Sequence, residues 1–154
     1  MTAANLRGAD LSGADLRGCN LIRADLSRAC LYHANLEGVI ADAADFSMSY
    51  AKSTTFKDAR MRYCQFKGVS YKDSYFWGTD LWGADFRGAF LLGTAFDDAK
   101  LDYTRNLHHA IFFWYRDPVK GGGPVYEPRK GFVRLNRSVI PGYSFQENAG
   151  TGRT

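Results

Sequence analysis

The chain has 154 residues, 45% of them apolar and 23% charged, with a formal net charge of +4; this composition fits one folded domain plus an appendage and excludes a disordered chain. No apolar run approaches the roughly 18 residues needed to cross a bilayer, and Met1 to Asn5 show no basic-then-apolar leader, so no membrane insertion is expected. Cys19, Cys30 and Cys64 are an odd number at unrelated spacings, which favours a reducing cytoplasm, or a particle assembled there, over a disulfide scaffold or a zinc site.

From Ala4 onward the sequence repeats with period five. Apolar centres recur in register from Leu6 through Leu26, Phe46, Phe66 and Phe86 to Leu101, twenty units without insertion or deletion. A small or β-branched residue lies two positions before each centre, from Ala4 to Ala99. Asp or Asn often precedes the centre, as at Asp10 and Asp85, and glycine lies two positions after it in nine units. Period five fits neither the 3.6 of a helix nor the 2.0 of a strand. It fits a chain that turns a corner every five residues, with glycine supplying positive φ and Asp or Asn bonding the local backbone. Four such sides close a coil of twenty residues, and about five coils stacked at a spacing of roughly 4.8 Å give a rod on the order of 24 Å long.

Segments such as Ala9-Asp10-Leu11-Ser12-Gly13 and Ala84-Asp85-Phe86-Arg87-Gly88 are similar to the A-(D/N)-L-x-x consensus of pentapeptide-repeat proteins. The resemblance covers about residues 3–105 and implies an all-β fold, a right-handed quadrilateral β-helix solenoid. It says little about function, because the family serves many roles. Residues twenty apart should share a face. On the first face Leu6 and Leu26 give way to Phe46, Phe66 and Phe86, and on the third Leu16 and Leu36 give way to Phe56, Phe76 and Phe96. The second and fourth faces stay smaller, with Ala51 opposite Met61 where the phenylalanines begin, as a core of fixed volume requires. The N-terminal end has no cap before its first unit and is a candidate contact.

Outward positions are mostly polar. Lys52, Lys57, Arg60, Arg62, Lys67 and Lys72 form a basic belt, partly balanced by Asp45, Asp58 and Asp73, that reads as solvated surface. Large apolar exceptions gather toward the C-terminal coils: Tyr75, Trp77, Trp82, Phe90 and Leu92, with Tyr32 and Tyr50 continuing the second face downward. Trp77 and Trp82 are expected near one corner. Grouped exposed aromatics mark an interface with a protein partner, unless the chain's own arm covers them.

The repeat ends at about Asn106. Residues 1–105 form the β-helix, and residues 106–117, which include Ile111-Phe112-Phe113-Trp114-Tyr115, are expected to form a capping helix or turn over the last coil, or else a dimerisation element. Residues 118–154 form a basic arm hinged at Gly121-Gly122-Gly123-Pro124, and its Arg129, Lys130, Arg134 and Arg137 are the second set of candidate protein-binding residues. Homo-oligomers through either rod end remain open. Residues 1–105 carry thirteen basic and thirteen acidic side chains, so the rod is neutral and the whole excess of +4 lies in the tail. The resemblance also implies an alternative, since some family members mimic DNA to inhibit gyrase or topoisomerase IV; that role needs an acidic rod and is disfavoured by this neutral one. Nucleic-acid binding by the arm is disfavoured by its modest charge.

His33, His108 and His109 have no metal-ligand spacing, and no phosphate-binding loop follows the glycines at 121–123. No catalytic, metal or cofactor site is expected. The sequence reads as a non-enzymatic structural or protein-interaction module: a rigid rod docking into a larger assembly, of the accessory, linker or virion-component kind.

Overall fold

A computed structural model describes residues 3–107. The pentads appear in it as four columns of parallel bridges, each joining a residue to the one twenty positions later. The first face runs Asn5, Asp25, Asp45, Gln65, Asp85, Arg105. The second runs Asp10, Cys30, Tyr50 and then continues through β1 (Tyr50–Lys52), β2 (Ser70–Lys72) and β3 (Phe90–Leu92), paired in parallel in that order. The third runs Asp15, Asn35, Thr55, Tyr75, Ala95, and the fourth Asn20, Ile40, Arg60, Asp80, Lys100. The chain is a β-helix in which four pentads make one circuit.

One unit and its neighbours show why the repeat has this composition. The N–H of Asp25 donates down to Ala4 at 2.9 Å, and that of Leu26 donates up to Asp45 at 2.7 Å. The N–H of Arg28 donates up to Ser47 at 2.9 Å, and that of Ala29 closes the turn on Leu26 at 3.1 Å. Only the N–H of Ser27 lacks a backbone acceptor, and Asp25 Oδ1 accepts it at 2.9 Å. An Asp or Asn before the centre therefore completes the backbone hydrogen bonding of its unit. The turn has its positive φ at the third residue, the glycine-favouring place of a type II turn. From Gly8 to Tyr103 every such corner has φ between 50° and 69°; nine are glycine and eleven are not. The first central position to adopt positive φ is Asn106, at 60°, and there the repeat ends.

The core is two phenylalanine columns. Phe46, Phe66 and Phe86 stack up one side at 5.3 and 4.9 Å, and Phe56, Phe76 and Phe96 up the other at 4.5 and 5.1 Å. The columns meet edge to face, as Phe66 and Phe76 do at 5.8 Å and 87°. Among the described residues Asp97 Oδ2 is buried without a hydrogen-bond partner, whereas other polar atoms inside are bonded. Thr79 Oγ1 donates to Phe56 O at 2.7 Å, and the Tyr71 hydroxyl pairs with Ser49 at 2.9 Å. Leu6, Leu11 and Leu16 are only half-buried, since no coil among the described residues covers them. The expected cap and arm lie outside the described residues, apart from Asn106 and a buried Leu107.

Candidate protein-interaction surface

The five aromatic and apolar candidates fall into three patches on three faces. Tyr75 and Trp77 flank Phe76 on the third face with ring centres 5.0 Å apart, and Trp77 is exposed. Trp82, on the fourth face, is half-buried between Tyr63 at 4.9 Å and Tyr103 at 5.0 Å. Among the described residues Trp77 and Trp82 are not ring partners: each packs in its own aromatic group. Phe90 and Leu92 flank Leu91 on the second face.

Tyr63 and Tyr103 were not among the candidates, although 53% and 76% of their surface is exposed. They occupy corner positions, which the repeat marks as turn rather than surface. Between them on the same edge is Gly83, and a Cβ there would sit 2.9 Å from the Tyr63 ring. The missing side chain leaves the space that Tyr63 occupies. The series Tyr63, Gly83, Tyr103 at intervals of twenty was the available sign.

Arg129, Lys130, Arg134 and Arg137 lie outside the described residues. Four of the six belt residues have an acid across the coils: Lys57 with Glu37 at 3.1 Å, Arg60 with Asp42 at 2.9 Å, Arg62 with Asp80 at 2.8 Å and Lys67 with Asp85 at 4.0 Å. Asp85 is buried, accepts from Asn106 Nδ2 at 2.7 Å and lies 4.0 Å from both Lys67 and Arg105. Asp15 is held down to about 2 by the hydrogen bonds that Arg17 donates to it. Burial pushes the Cys64 thiol well above its usual range, and its S–H points at Ala41 O, 2.9 Å away, so it is a packing residue and not a nucleophile. Among the described residues no group of three or more His, Cys, Asp or Glu side chains could hold a metal ion, and no helix is long and apolar enough to cross a membrane.

The sequence model described as Pentapeptide repeats matches in eight copies, over residues 1–40 and 72–105. The chain is a pentapeptide-repeat protein. Between the two matched stretches the bridge columns and positive-φ corners continue unbroken, although the centres there drift to Ala41, Phe46, Ala51 and Met61. A solved pentapeptide repeat protein from the Arabidopsis thaliana thylakoid lumen is similar at 29% identity and a TM-score of 0.53, over 61% of this chain. The chain spans 62% of the length of that relative. QnrB1, a plasmid-mediated fluoroquinolone resistance protein, matches at 25% identity and a TM-score of 0.42, over 65% of this chain and 59% of its own. HetL, involved in heterocyst differentiation regulation in Nostoc sp. strain PCC 7120, matches at 23% and 0.28, over 68% and 54%. No curated protein sequence matches the chain. Pentapeptide-repeat proteins are in general structural or interaction modules, and no catalytic family is indicated.

Proposed function

We propose that this protein is a non-enzymatic interaction module that docks into a larger protein assembly, as an accessory, linker or virion-type component. In this proposal about five right-handed coils form the rod, residues 106–117 close its C-terminal end, and residues 118–154 reach a partner through Arg129, Lys130, Arg134 and Arg137. The rod offers Tyr75, Trp77, Trp82, Phe90 and Leu92 to the same assembly. The observation that carries the reading is the Tyr75–Trp77 pair: two large rings in contact at 5.0 Å, one of them 42% exposed, on a rod many of whose polar side chains are tied into turns and ion pairs. Exposed Trp and Tyr side by side are common anchors of protein interfaces.

A gyrase-directed DNA mimic is disfavoured by the balance of thirteen basic and thirteen acidic side chains over residues 1–105. The test is affinity capture from native lysate with the full chain, beside Trp77→Ser and Arg134→Glu/Arg137→Glu variants, with a gyrase supercoiling assay in parallel. The reading expects a specific partner captured by the parent and lost from the variants at an unchanged unfolding midpoint. Equal capture by all three, or inhibition of supercoiling, would overturn it.

A further inference from the structure

The second face differs from the other three. Up its column of residues following each centre, the chain presents Tyr32, Lys52, Lys72 and Leu92: apolar, basic, basic, apolar. Lys52 pairs in register with Lys72, and Lys72 with Leu92. Tyr32 lies one coil below Lys52, since the neighbouring N–H of His33 donates to Lys52 O. Alongside, in the column preceding each centre, Tyr50 and Phe90 are 47% and 44% exposed.

Two lysines directly opposite on neighbouring strands repel each other. On the other faces several bases are neutralised, Lys57 by Glu37 and Arg62 by Asp80, and on the first face Lys67, stacked beneath Arg87, lies 4.0 Å from Asp85. Among the described residues neither Lys52 nor Lys72 has a carboxylate within ion-pair distance. The one next to Lys72 in sequence, Asp73, lies beneath the Gly93 corner instead. The two ammonium groups thus share one face, one coil apart, bracketed above and below by apolar side chains.

We propose that this face docks an extended segment of a partner protein with the pattern apolar–x–acidic–x–apolar. The inference rests on the interaction-module reading and supplies a partner chemistry. Coils are spaced by roughly 4.8 Å, while same-side residues of an extended peptide are about 6.8 Å apart. A peptide lying along the rod axis with its first apolar side chain at Tyr32 therefore places its carboxylate between Lys52 and Lys72. Its second apolar side chain, about 14 Å along, reaches Leu92 and Phe90. The chain's own tail is disfavoured by its charge, seven basic against three acidic residues, although Tyr115 to Val119 and Phe145 to Ala149 in it fit the same pattern; with the tail seated on this face the full chain would bind no added peptide. A second copy is a poor one too. A strip of roughly 14 by 10 Å is far below the ~800 Å² per partner of a stable dimer. Nucleic acid is disfavoured because two lysines offer little to a polyphosphate backbone.

The test is fluorescence anisotropy of the full chain with a labelled Ser-Leu-Ser-Glu-Ser-Phe-Ser peptide, its glutamine counterpart, and labelled oligo-dT. Saturable binding of the glutamate peptide is expected, weakened at least roughly tenfold by Lys52→Glu/Lys72→Glu and by Glu-to-Gln in the peptide. Lys57→Ala, on the third face, should leave it unchanged, which assigns the effect to this face, while the lysate capture above tests the interaction-module reading on its own. No saturable binding, binding indifferent to the two lysines, or tighter binding of oligo-dT would overturn the proposal. Tyr50→Ser and Phe90→Ser each give a second readout that does not alter charge: both should weaken the glutamate peptide.

Discussion

The first and second faces of the rod are built from the same pentad and reach opposite outcomes. On the first face Asn5, Asp25, Asp45 and Asp85 bond the N–H two residues on, and Arg7, Lys67 and Arg105 lie near the acids of the same column. Its Asx side chains are used within the rod. On the second face the Asx position is taken by Tyr50, Ser70 and Phe90, and the chain runs as three short parallel strands with side chains left over. A unit that keeps Asp or Asn spends that side chain on its own turn. A unit that gives it up leaves that outward side chain free for other contacts.

Several substitutions can sharpen or break this contrast. The largest effect belongs beneath both faces. Phe66 stacks on Phe46 and Phe86 and meets Phe76 and Tyr71 edge on, so Phe66→Ala should cost about 3–5 kcal/mol by urea unfolding. A loss below 1 kcal/mol, on the order of a surface change, would mean the columns do not carry the core. Next come the corners. Gly83→Ala adds a Cβ 2.9 Å from the Tyr63 ring at φ 69°, whereas Gly13→Ala meets nothing within 4 Å at φ 68°. The first should cost about 1–2 kcal/mol more than the second, which carries only the left-handed backbone term of roughly 1 kcal/mol. Equal losses would mean that close contact at the corner is irrelevant.

Much of this was legible in the sequence. The period of five, the small inward residue and the switch from Leu to Phe on two opposite faces gave the β-helix and its core columns, because core volume and backbone pairing repeat with the pentad. Corner aromatics were not legible. Tyr63 and Tyr103 stand at corners, where glycine is the commonest residue, and the Tyr63 ring takes the space left at Gly83 and meets Trp82. The packing of Trp77 and Trp82 in different aromatic groups was hidden for a related reason: period places a residue on a face but does not say which way its ring leans. Lys52 and Lys72 read as two members of a belt until the ion pairs of Lys57, Arg60 and Arg62 set them apart.

Acid offers a smaller, graded test of the turn chemistry. The carboxyls of Asp10, Asp15 and Asp25 lie below their ordinary value of 3.8, first through hydrogen bonds from Ser12, Arg17 and Ser27 respectively. A lowered folded-state pKa stabilises above the unfolded value and is lost as pH falls through the folded one. The thermal midpoint should therefore be flat above about pH 5 and fall between about pH 4 and 2. Asp25→Asn, which keeps the turn acceptor, should blunt that fall; an unaltered acid profile would show that Asp25 does not contribute to it. The smallest effect is expected from Lys72→Ala, which relieves like-charge stacking and should raise stability by roughly 0.2–0.5 kcal/mol at low salt, shrinking as salt is added. A clear loss of stability would show that the lysines serve the rod itself.

The most direct measurement is a backbone amide NMR titration of the full chain with the glutamate peptide. The account predicts shift changes concentrated at Tyr50–Lys52, Ser70–Lys72 and Phe90–Leu92, with the first-face residues Asp25, Asp45 and Asp85 unmoved. Changes centred on the first face, or none at saturating peptide, would contradict it.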